Sequence, residues 1–272
     1  MSITSPSSSV LVDVDDAICR ITMNRPNFLN ALDLDLMNAL VQVTRDISSD
    51  KKIRCVILEG SGEHFMAGGD IKHFGARLEE LPTQTDFSQE IEAMINGFHE
   101  AIINMRAMPK PIIAGVRGAV AGAGVSLMLA CDLVVAAESS FYTLAYCHLG
   151  ASPDGGSTFA LPRAVGMKHA MEIALLGDRF DSVKAERWGL VNIVVPDVEL
   201  DKETNALAQR LASGPTHAYA RTKALMNESS SHNLQEQLAT EARAFADCAA
   251  TDDFYEGVSA FNAKRSPAFK GC

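Results

Sequence analysis

Three short glycine-rich segments of this chain each follow an apolar, strand-like run and carry residues that could do chemistry. They cover residues 65–70, 118–124 and 152–156. In the first two segments an open backbone could present N–H groups to one oxygen atom, and the third supplies the carboxylate of Asp154. Paired N–H donors beside an acid suit a reaction that forms and quenches an oxyanion, such as the enolate of a thioester. The three segments therefore predict an enzyme.

Each segment also has a structural interpretation. Gly68 and Gly69 alone favour a tight turn, and the small residues of 118–124 suit either close helix–strand packing or a helix N-terminus that faces an anion. Asp154 follows Pro153, so its local sequence supports a turn or helix N-cap role and a role as a base about equally. Because two such segments follow successive core strands, the paired-donor interpretation is the better one.

Other catalytic arrangements receive little support from the sequence. Tyr146 and His148 flank the strand before Asp154, and both are more typical of packing or surface positions than of a main base. Ser126 lies near the second segment, but its surroundings are not the nucleophile elbow of a serine hydrolase, which leaves a hydrolase as a weak alternative. The seven histidines and six cysteines show no metal-ligand spacing, and we predict no metal site.

The composition is that of a globular protein. The 272 residues are 47% hydrophobic and 21% charged, and the net charge is −10. An acidic chain argues against a nucleic-acid partner, because phosphate binding normally needs a basic face, whereas a few local cations could still hold an anionic ligand. No apolar run approaches membrane-spanning length, and cysteines inside apolar runs suit a reducing compartment. We therefore expect a cytoplasmic protein with no membrane insertion.

The order of apolar runs predicts an α/β core followed by a helical region. We expect a flexible N-terminal tail over residues 1–9, an α/β core over 10–197 and a helical C-terminal region over 198–272. Strands and helices alternate in the core, which implies a layered sheet with crossover connections. The predicted strands are 10–14, 18–23, 55–58, 112–116, 133–137 and 142–145. The predicted helices are 34–47, 90–105, 124–131 and one after residue 156, then 199–212, 217–226, 234–249 and 254–264.

Several motifs, in the same order along nearly the whole chain, resemble those of the crotonase (enoyl-CoA hydratase/isomerase) superfamily. The matching stretches are residues 24–26, 30–32, 65–71, 110–116, 118–132, 150–156, 161–163, 257–261 and 264–267. The resemblance implies a spiral α/β core of repeated ββα units with a helical C-terminal trimerisation region. It also implies a homotrimer or dimer of trimers that acts on acyl-CoA thioesters, with coenzyme A as part of the substrate and no separate cofactor.

The resemblance also implies roles for particular residues. The oxyanion hole would consist of the N–H groups of Gly69 and Ala123, with Asp154 as the proton shuttle. Ala67 would offer its backbone to the adenine of CoA, and the acyl pocket wall would lie largely within residues 72–85. Asp70, Ile71 and Tyr146 also match substrate or CoA contacts. Arg25, Asn30 and Leu32 would lie on the loop that borders the CoA chain. Phe261 and Lys264 would reach a neighbouring subunit's CoA.

Two departures from the family pattern decide which reaction we predict. Family hydratases carry glutamates at the positions of Ser126 and Tyr146, and neither carboxylate is present here. Hydration needs one group to activate water and another to manage the proton at the α-carbon. Asp154 instead matches the acid of several isomerase and dehalogenase branches, and the surrounding motifs look most like epoxyphenylacetyl-CoA isomerases of the phenylacetate pathway. We therefore predict an isomerase that shifts a double bond or rearranges an epoxide. A hydratase (a lyase) of the same family and a non-catalytic acyl-CoA-binding subunit are the alternatives.

Overall fold

Strands and helices alternate along most of the chain, and the last part is entirely helical. The computed structural model describes residues 3–81 and 83–272, so Met1 and Ser2 of the predicted tail and Pro82 of the predicted pocket wall lie outside the described residues. The strands are β1 (Val10–Asp15), β2 (Ile18–Met23), β3 (Cys55–Gly60), β4 (Ile112–Val116), β5 (Ala119–Ala121), β6 (Leu133–Ala137), β7 (Phe141–Thr143), β8 (Phe180–Asp181) and β9 (Ile193–Val195). The helices are α1 (Leu34–Ser49), α2 (Ile71–Glu80), α3 (Gln84–Ala107), α4 (Ala123–Ala130), α5 (Ser157–Leu176), α6 (Ser182–Arg187), α7 (Leu200–Ala212), α8 (Thr216–Glu228), α9 (Leu234–Ala249) and α10 (Asp252–Asn262). In the described parts of the chain, no helix is both long and apolar enough to cross a membrane.

A six-stranded sheet forms the core. Its strand order is β1-β2-β3-β4-β6-β9, with β1 and β2 antiparallel and the remaining pairs parallel. β4 is buried at every position, and the first four residues of β3 are buried, as is typical of parallel strands covered on both faces. A second, smaller sheet has the order β5-β7-β8. The prediction of an α/β fold with crossover connections is confirmed.

Helices cover the two faces of the large sheet. Val56 and Leu58 of β3 belong to the main buried cluster, which also contains the inner face of α1, whereas Cys55 and Ile57 belong to a second cluster with α7. This alternation follows from the two-residue period of a strand, which points successive side chains to opposite faces. The predicted helical C-terminal region, residues 198–272, begins with α7, which packs on the sheet through Leu200, Ala208 and Ala212, and continues with α8 to α10.

The helices α8 to α10 are attached to the core partly through buried polar contacts. The Nζ atom of Lys223 donates to the main-chain oxygen of Met105 at 2.8 Å and lies 2.9 Å from the Asp132 carboxylate. Arg54 donates to the hydroxyl of Thr216, the first residue of α8, at 3.0 Å. Large apolar side chains remain exposed along these helices, namely Met226, Leu234, Leu238, Phe245, Tyr255, Val258 and Phe261.

The N-terminal segment contacts the fold, and α2 is a helix that the sequence analysis did not predict. Residues 3–9 belong to the predicted flexible tail, yet the main-chain oxygen of Ser9 accepts the N–H of Asn24 at 2.7 Å and the Ser7 hydroxyl donates to Asp35 on α1. These contacts join the segment to the start of the fold. α2 was not predicted as a helix; its apolar residues Ile71, Phe74 and Leu78 have helical spacing, but none of its residues is buried. Its Arg77 pairs with Glu90 of α3 at 2.7 Å, which links α2 to the next helix.

Candidate active site

Two of the glycine-rich segments lie side by side. Met66 and Val120 form a parallel bridge, in which the Met66 N–H donates to Ala119 at 3.0 Å and the Met66 oxygen accepts the Ala121 N–H at 2.9 Å. The predicted donor Gly69 lies three residues after Met66, and the predicted donor Ala123 lies three residues after Val120. The two donors are therefore equally far along the chain from the paired residues. The structure therefore brings the two predicted donor segments together.

The N–H groups of both predicted donors lack protein acceptors. In residues 3–81 and 83–272, neither the Gly69 N–H nor the Ala123 N–H donates a hydrogen bond to another protein group. Ala123 is the first residue of α4, where N–H groups have no partner one turn earlier in the helix and the helix dipole favours negative charge. Both groups remain able to bind an oxygen atom of a ligand.

Gly122 gives the second segment the shape that exposes the Ala123 N–H. Its φ and ψ angles are 50° and −118°, values that side chains disfavour and that occur mainly at glycine in tight turns. A Cβ atom built on Gly122 would lie 3.5 Å from the Cα atom of Gly68 and 4.0 Å from the ring of Tyr146. The two glycine turns and Tyr146 are therefore direct neighbours.

Tyr146 connects this turn to Asp154. Its hydroxyl donates to the Oδ1 atom of Asp154 at 2.6 Å, and its ring lies beside Gly122. Burial, followed by the charge of Asp154 and the hydrogen bond to it, raises the pKa of Tyr146 well above its usual value. The phenol consequently stays protonated at neutral pH and can serve as a donor to the carboxylate.

Three further elements hold the main chain at Asp154. Its main-chain oxygen accepts the Ser126 hydroxyl at 2.9 Å, the Ser157 hydroxyl at 2.9 Å and the Ser157 N–H at 3.1 Å. The following Gly155 N–H donates to the Nε2 atom of His99 at 3.2 Å. Ser126 is 1% exposed, so it is a buried group that supports Asp154 through the main chain.

The loop before α1 is anchored to the first glycine segment. The main-chain N–H of Leu32 donates to Gly68 at 2.7 Å, and Leu32 bridges Gly69. Asn30 is fully buried, and its side-chain amide donates to the main-chain oxygens of Ser61 at 3.0 Å and His64 at 2.7 Å. Asn30, which we predicted on the loop that borders the CoA chain, therefore holds this loop in shape through its buried side chain, and the contact of the loop with CoA stays a prediction.

Arg25 and Asp70 form a polar link between the same two segments. The Arg25 guanidinium lies 3.0 Å from Asp33 and 3.2 Å from Asp70. Asp70 also caps α2 by accepting the His73 N–H at 3.2 Å. These two predicted binding residues thus have structural partners in the described part of the chain.

Ala67 and Ile71 present groups at the rim of the first glycine segment. The Ala67 N–H donates to Leu29 at 3.0 Å, whereas its oxygen accepts no hydrogen bond in the described residues. Ile71 is 48% exposed. Phe74, one turn into α2, places its ring 3.2 Å from the position that a Cβ atom on Gly69 would occupy. An aromatic ring therefore borders one of the predicted donors.

Phe261 and Lys264 lie at the other end of the chain. Phe261 is 83% exposed on α10, and Lys264 follows that helix with a φ angle of 51°. No hydrogen bond or ion pair joins either side chain to the glycine segments or to Asp154 in the residues that the structure covers. Their predicted contact with CoA of a neighbouring subunit stays a prediction.

Comparisons with known proteins agree with this arrangement. The family model described as Enoyl-CoA hydratase/isomerase matches residues 13–272. The chain belongs to this family. It is 34% identical over 262 residues to the 1,2-epoxyphenylacetyl-CoA isomerase of Escherichia coli (strain K12), covering 96% of this chain and 98% of that protein.

Other relatives within the family bear the name of a hydratase. A probable enoyl-CoA hydratase of Rhodobacter capsulatus is 35% identical over 263 residues, covering 97% of this chain and 98% of that protein. The crystal structure of an enoyl-CoA hydratase from Polaromonas sp. JS666 matches with a TM-score of 0.88 at 34% identity, covering 96% of this chain and 99% of that one. The predicted family and crotonase-type fold are confirmed. Since relatives carry the names of both reactions, the choice between them depends on the residues of the site.

His99 and Ser157 were not among the predicted site residues. Both contact the peptide group between Asp154 and Gly155. Ser157 is the first residue of α5, directly after the predicted segment, and a serine hydroxyl commonly bonds to a nearby main-chain oxygen, so this contact could be found from its position. His99 lies on α3, 56 residues before Gly155, and no local pattern in the sequence connects the two.

Proposed function

We propose that this member of the enoyl-CoA hydratase/isomerase family is an isomerase of acyl-CoA thioesters. Asp154 takes a proton from the α-carbon of a 3-enoyl thioester, and the electron pair moves into the carbonyl to form an extended enolate. The same carboxyl group returns the proton at the γ-carbon, so the double bond moves to the 2-position with no net change in atoms. The N–H groups of Gly69 and Ala123 stabilise the negative oxygen.

The hydrogen bond between Tyr146 and Asp154 is the observation that carries this proposal. The tyrosine donates to Oδ1 at 2.6 Å, whereas Oδ2 has no protein partner in the described residues. Oδ2 is therefore the oxygen that can accept and return a proton. Because Tyr146 also lies beside Gly122, the carboxylate is held next to the turn that carries the Ala123 N–H.

Both the oxyanion donors and the base are needed to account for turnover. Losing one oxyanion donor typically lowers the rate by about 10²–10³-fold, and a positioned base contributes about 10²–10⁴-fold. A site with unoccupied N–H donors and no base would bind a thioester without converting it. The presence of both N–H donors and a carboxylate base therefore distinguishes an isomerase from an acyl-CoA-binding subunit.

Hydration is the second candidate, because several relatives are named as probable hydratases. The residues at the two family glutamate positions do not favour it. Ser126 donates its hydroxyl to the backbone of Asp154, and the raised pKa of Tyr146 keeps the phenol protonated. Neither group is a base that could activate water at neutral pH.

The remaining features of the proposed function follow from the family resemblance. Coenzyme A is part of the substrate, and no separate cofactor takes part. The chain forms a homotrimer or dimer of trimers in the cytoplasm, with Phe261 and Lys264 near a neighbour's CoA. The name of the Escherichia coli relative suggests an epoxide of a phenylacetyl thioester as one substrate to test, in addition to simple enoyl thioesters.

An Asp154→Asn variant tests the proposal. The amide keeps an acceptor for Tyr146 but loses the base, so isomerisation of a 3-enoyl-CoA should fall by at least about 10²-fold with thioester binding retained. Incubation in deuterium oxide should give exchange at the acyl α-carbon with the wild type and little with the variant. Asp16→Asn is the control, since Asp16 is exposed in the β1–β2 turn with a φ angle of 50°, a conformation that asparagine tolerates.

Three results would contradict the proposal. Near-normal turnover by Asp154→Asn would remove Asp154 from its role. Binding without exchange by the wild type would indicate an acyl-CoA-binding subunit. A comparable rate loss in Asp16→Asn would show that the effect is not specific to the site.

A further inference from the structure

The peptide group between Asp154 and Gly155 is held on both of its edges. On one edge, the Asp154 oxygen accepts hydrogen bonds from Ser126 and Ser157. On the other edge, the Gly155 N–H donates to the Nε2 atom of His99 at 3.2 Å. These contacts hold the peptide group in place and with it the Asp154 Cα atom, from which the carboxylate side chain extends.

His99 is the acceptor for the Gly155 N–H. Gly155 is buried and has a φ angle of 60°, and a Cβ atom there would lie 2.6 Å from Ser126 and 2.8 Å from the Phe98 ring. The tight packing of Ser126 and Phe98 around the glycine makes a buried, unpaired N–H costly. An imidazole nitrogen that accepts a hydrogen bond does so through its lone pair, so this contact uses the tautomer with the proton on Nδ1.

We propose that His99 is a positioning residue for Asp154, acting through the Gly155 amide. This inference rests on the proposed function, because it assigns His99 a role in placing the proton-transferring carboxylate. Tyr146 holds the side chain at Oδ1, and His99, which lies on α3, holds the peptide group that follows Asp154. A group that acts in this way should affect the rate of proton transfer more than the affinity for the thioester.

Two substitutions at His99 separate positioning from packing. His99→Leu fills a similar volume without an acceptor, so the peptide plane is released and kcat should fall about 10–10²-fold, as expected for a misplaced catalytic group. KM should stay within about threefold of the wild type, because the CoA contacts are unchanged. His99→Gln offers an amide oxygen near the position of Nε2 and should restore kcat to within about threefold of the wild type.

The double variant His99→Leu/Asp154→Asn tests whether the effect passes through Asp154. If it does, the substitution of His99 should lower the rate by less than about twofold once Asp154 is already asparagine. His232→Leu is the control for replacing a histidine, since His232 lies in the α8–α9 connection and pairs with Gln237. Hydrogen exchange measured by mass spectrometry should show faster exchange in residues 154–156 of His99→Leu and protection in His99→Gln.

The outcomes distinguish this inference from the proposed function. If the wild type isomerises a 3-enoyl-CoA and His99→Leu does so with the same kcat, the positioning role is wrong and the proposed function stands. Equal losses in the leucine and glutamine variants, or a full further loss in the double variant, would also overturn it. If the wild type does not isomerise at all, the proposed function fails and this inference fails with it.

Discussion

Replacing Gly122 by alanine should damage both stability and catalysis, for one geometric reason. The φ and ψ angles of Gly122 are 50° and −118°. The nearest atoms to a new Cβ atom would be the Cα of Gly68 at 3.5 Å, the oxygen of Leu144 at 3.9 Å and the Tyr146 ring at 4.0 Å. These are ordinary contact distances, so the methyl group fits and the cost comes from the backbone.

The size of both effects can be worked out from this conformation. A non-glycine residue held in such a region costs about 1–3 kcal/mol. For a chain of this size, each kcal/mol lowers Tm by about 2–4 °C, so we expect a fall of about 2–12 °C. Rotation of the peptide group between Gly122 and Ala123 relieves this strain by bringing residue 122 into the left-handed helical region, and it turns the Ala123 N–H away from its present direction. Loss of that donor should lower kcat for isomerisation by about 10²–10³-fold.

Gly189→Ala provides a matched control for this experiment. Gly189 has a φ angle of 79°, and its nearest neighbour to a new Cβ atom is the Ala164 oxygen at 3.5 Å. It should lose a similar amount of stability, but it carries no donor for the substrate. Calorimetry gives Tm, and product chromatography gives kcat. If Gly122→Ala retains a kcat within about twofold of Gly189→Ala, the Ala123 N–H is not an oxyanion donor.

Two other predictions concern the core and the C-terminal region. Burial raises the pKa of the Cys19 and Cys55 thiols to about 12, so at pH 8 a maleimide should label exposed Cys272 and leave both unmodified until the protein is unfolded. Labelling of Cys19 in the native protein, detected by peptide mass spectrometry, would contradict the packing. Truncation after Asp253 should weaken CoA-ester binding and lower the particle mass in light scattering, because it removes Phe261 and Lys264 from the proposed subunit contacts. Unchanged mass and affinity would show that these C-terminal contacts are wrongly assigned.

Sequence analysis predicted best the strands and helices whose bounds are marked by neighbouring residues, such as apolar runs or helix-capping residues. The strands Ile112–Val116 and Leu133–Ala137 are continuous apolar runs, and the structure gives them the predicted bounds. The helix Leu234–Ala249 also has its predicted bounds, since Asn233 and Glu236 form a capping box at its start and an apolar stripe follows. In each case burial and capping act over a few neighbouring residues, which a sequence displays directly.

Elements stabilised by distant partners were harder to predict. α2 has no buried face and depends on the Asp70 cap and on Arg77, which pairs with Glu90. The segment 3–9 was predicted to be flexible because its composition is polar, and its contact with Asp35 on α1 depends on tertiary structure. α7 was predicted as a helix, but its amphipathic pattern does not reveal that the sheet is the surface it covers.

The same distinction applies to the site. Gly69, Ala123 and Asp154 lie in segments whose residue types indicate turns and helix starts. In the structure these segments lie next to one another. The side-chain role of Asn30 was not predicted, because a buried asparagine that bonds Ser61 and His64 resembles a loop residue in sequence. His99 could not be connected to Asp154, because only the packing of α3 brings it to the Gly155 N–H.

The comparison of two reactions on one preparation tests the central claim most directly. A 3-enoyl-CoA and a 2-enoyl-CoA of equal chain length are supplied separately, and the 2-enoyl and 3-hydroxy products are measured by chromatography. Because Tyr146 is held protonated and Ser126 is bonded to the backbone of Asp154, water should be poorly activated while Asp154 still moves a proton. We predict isomerisation much faster than hydration. Hydration that equals or exceeds isomerisation would contradict the isomerase assignment and favour a hydratase.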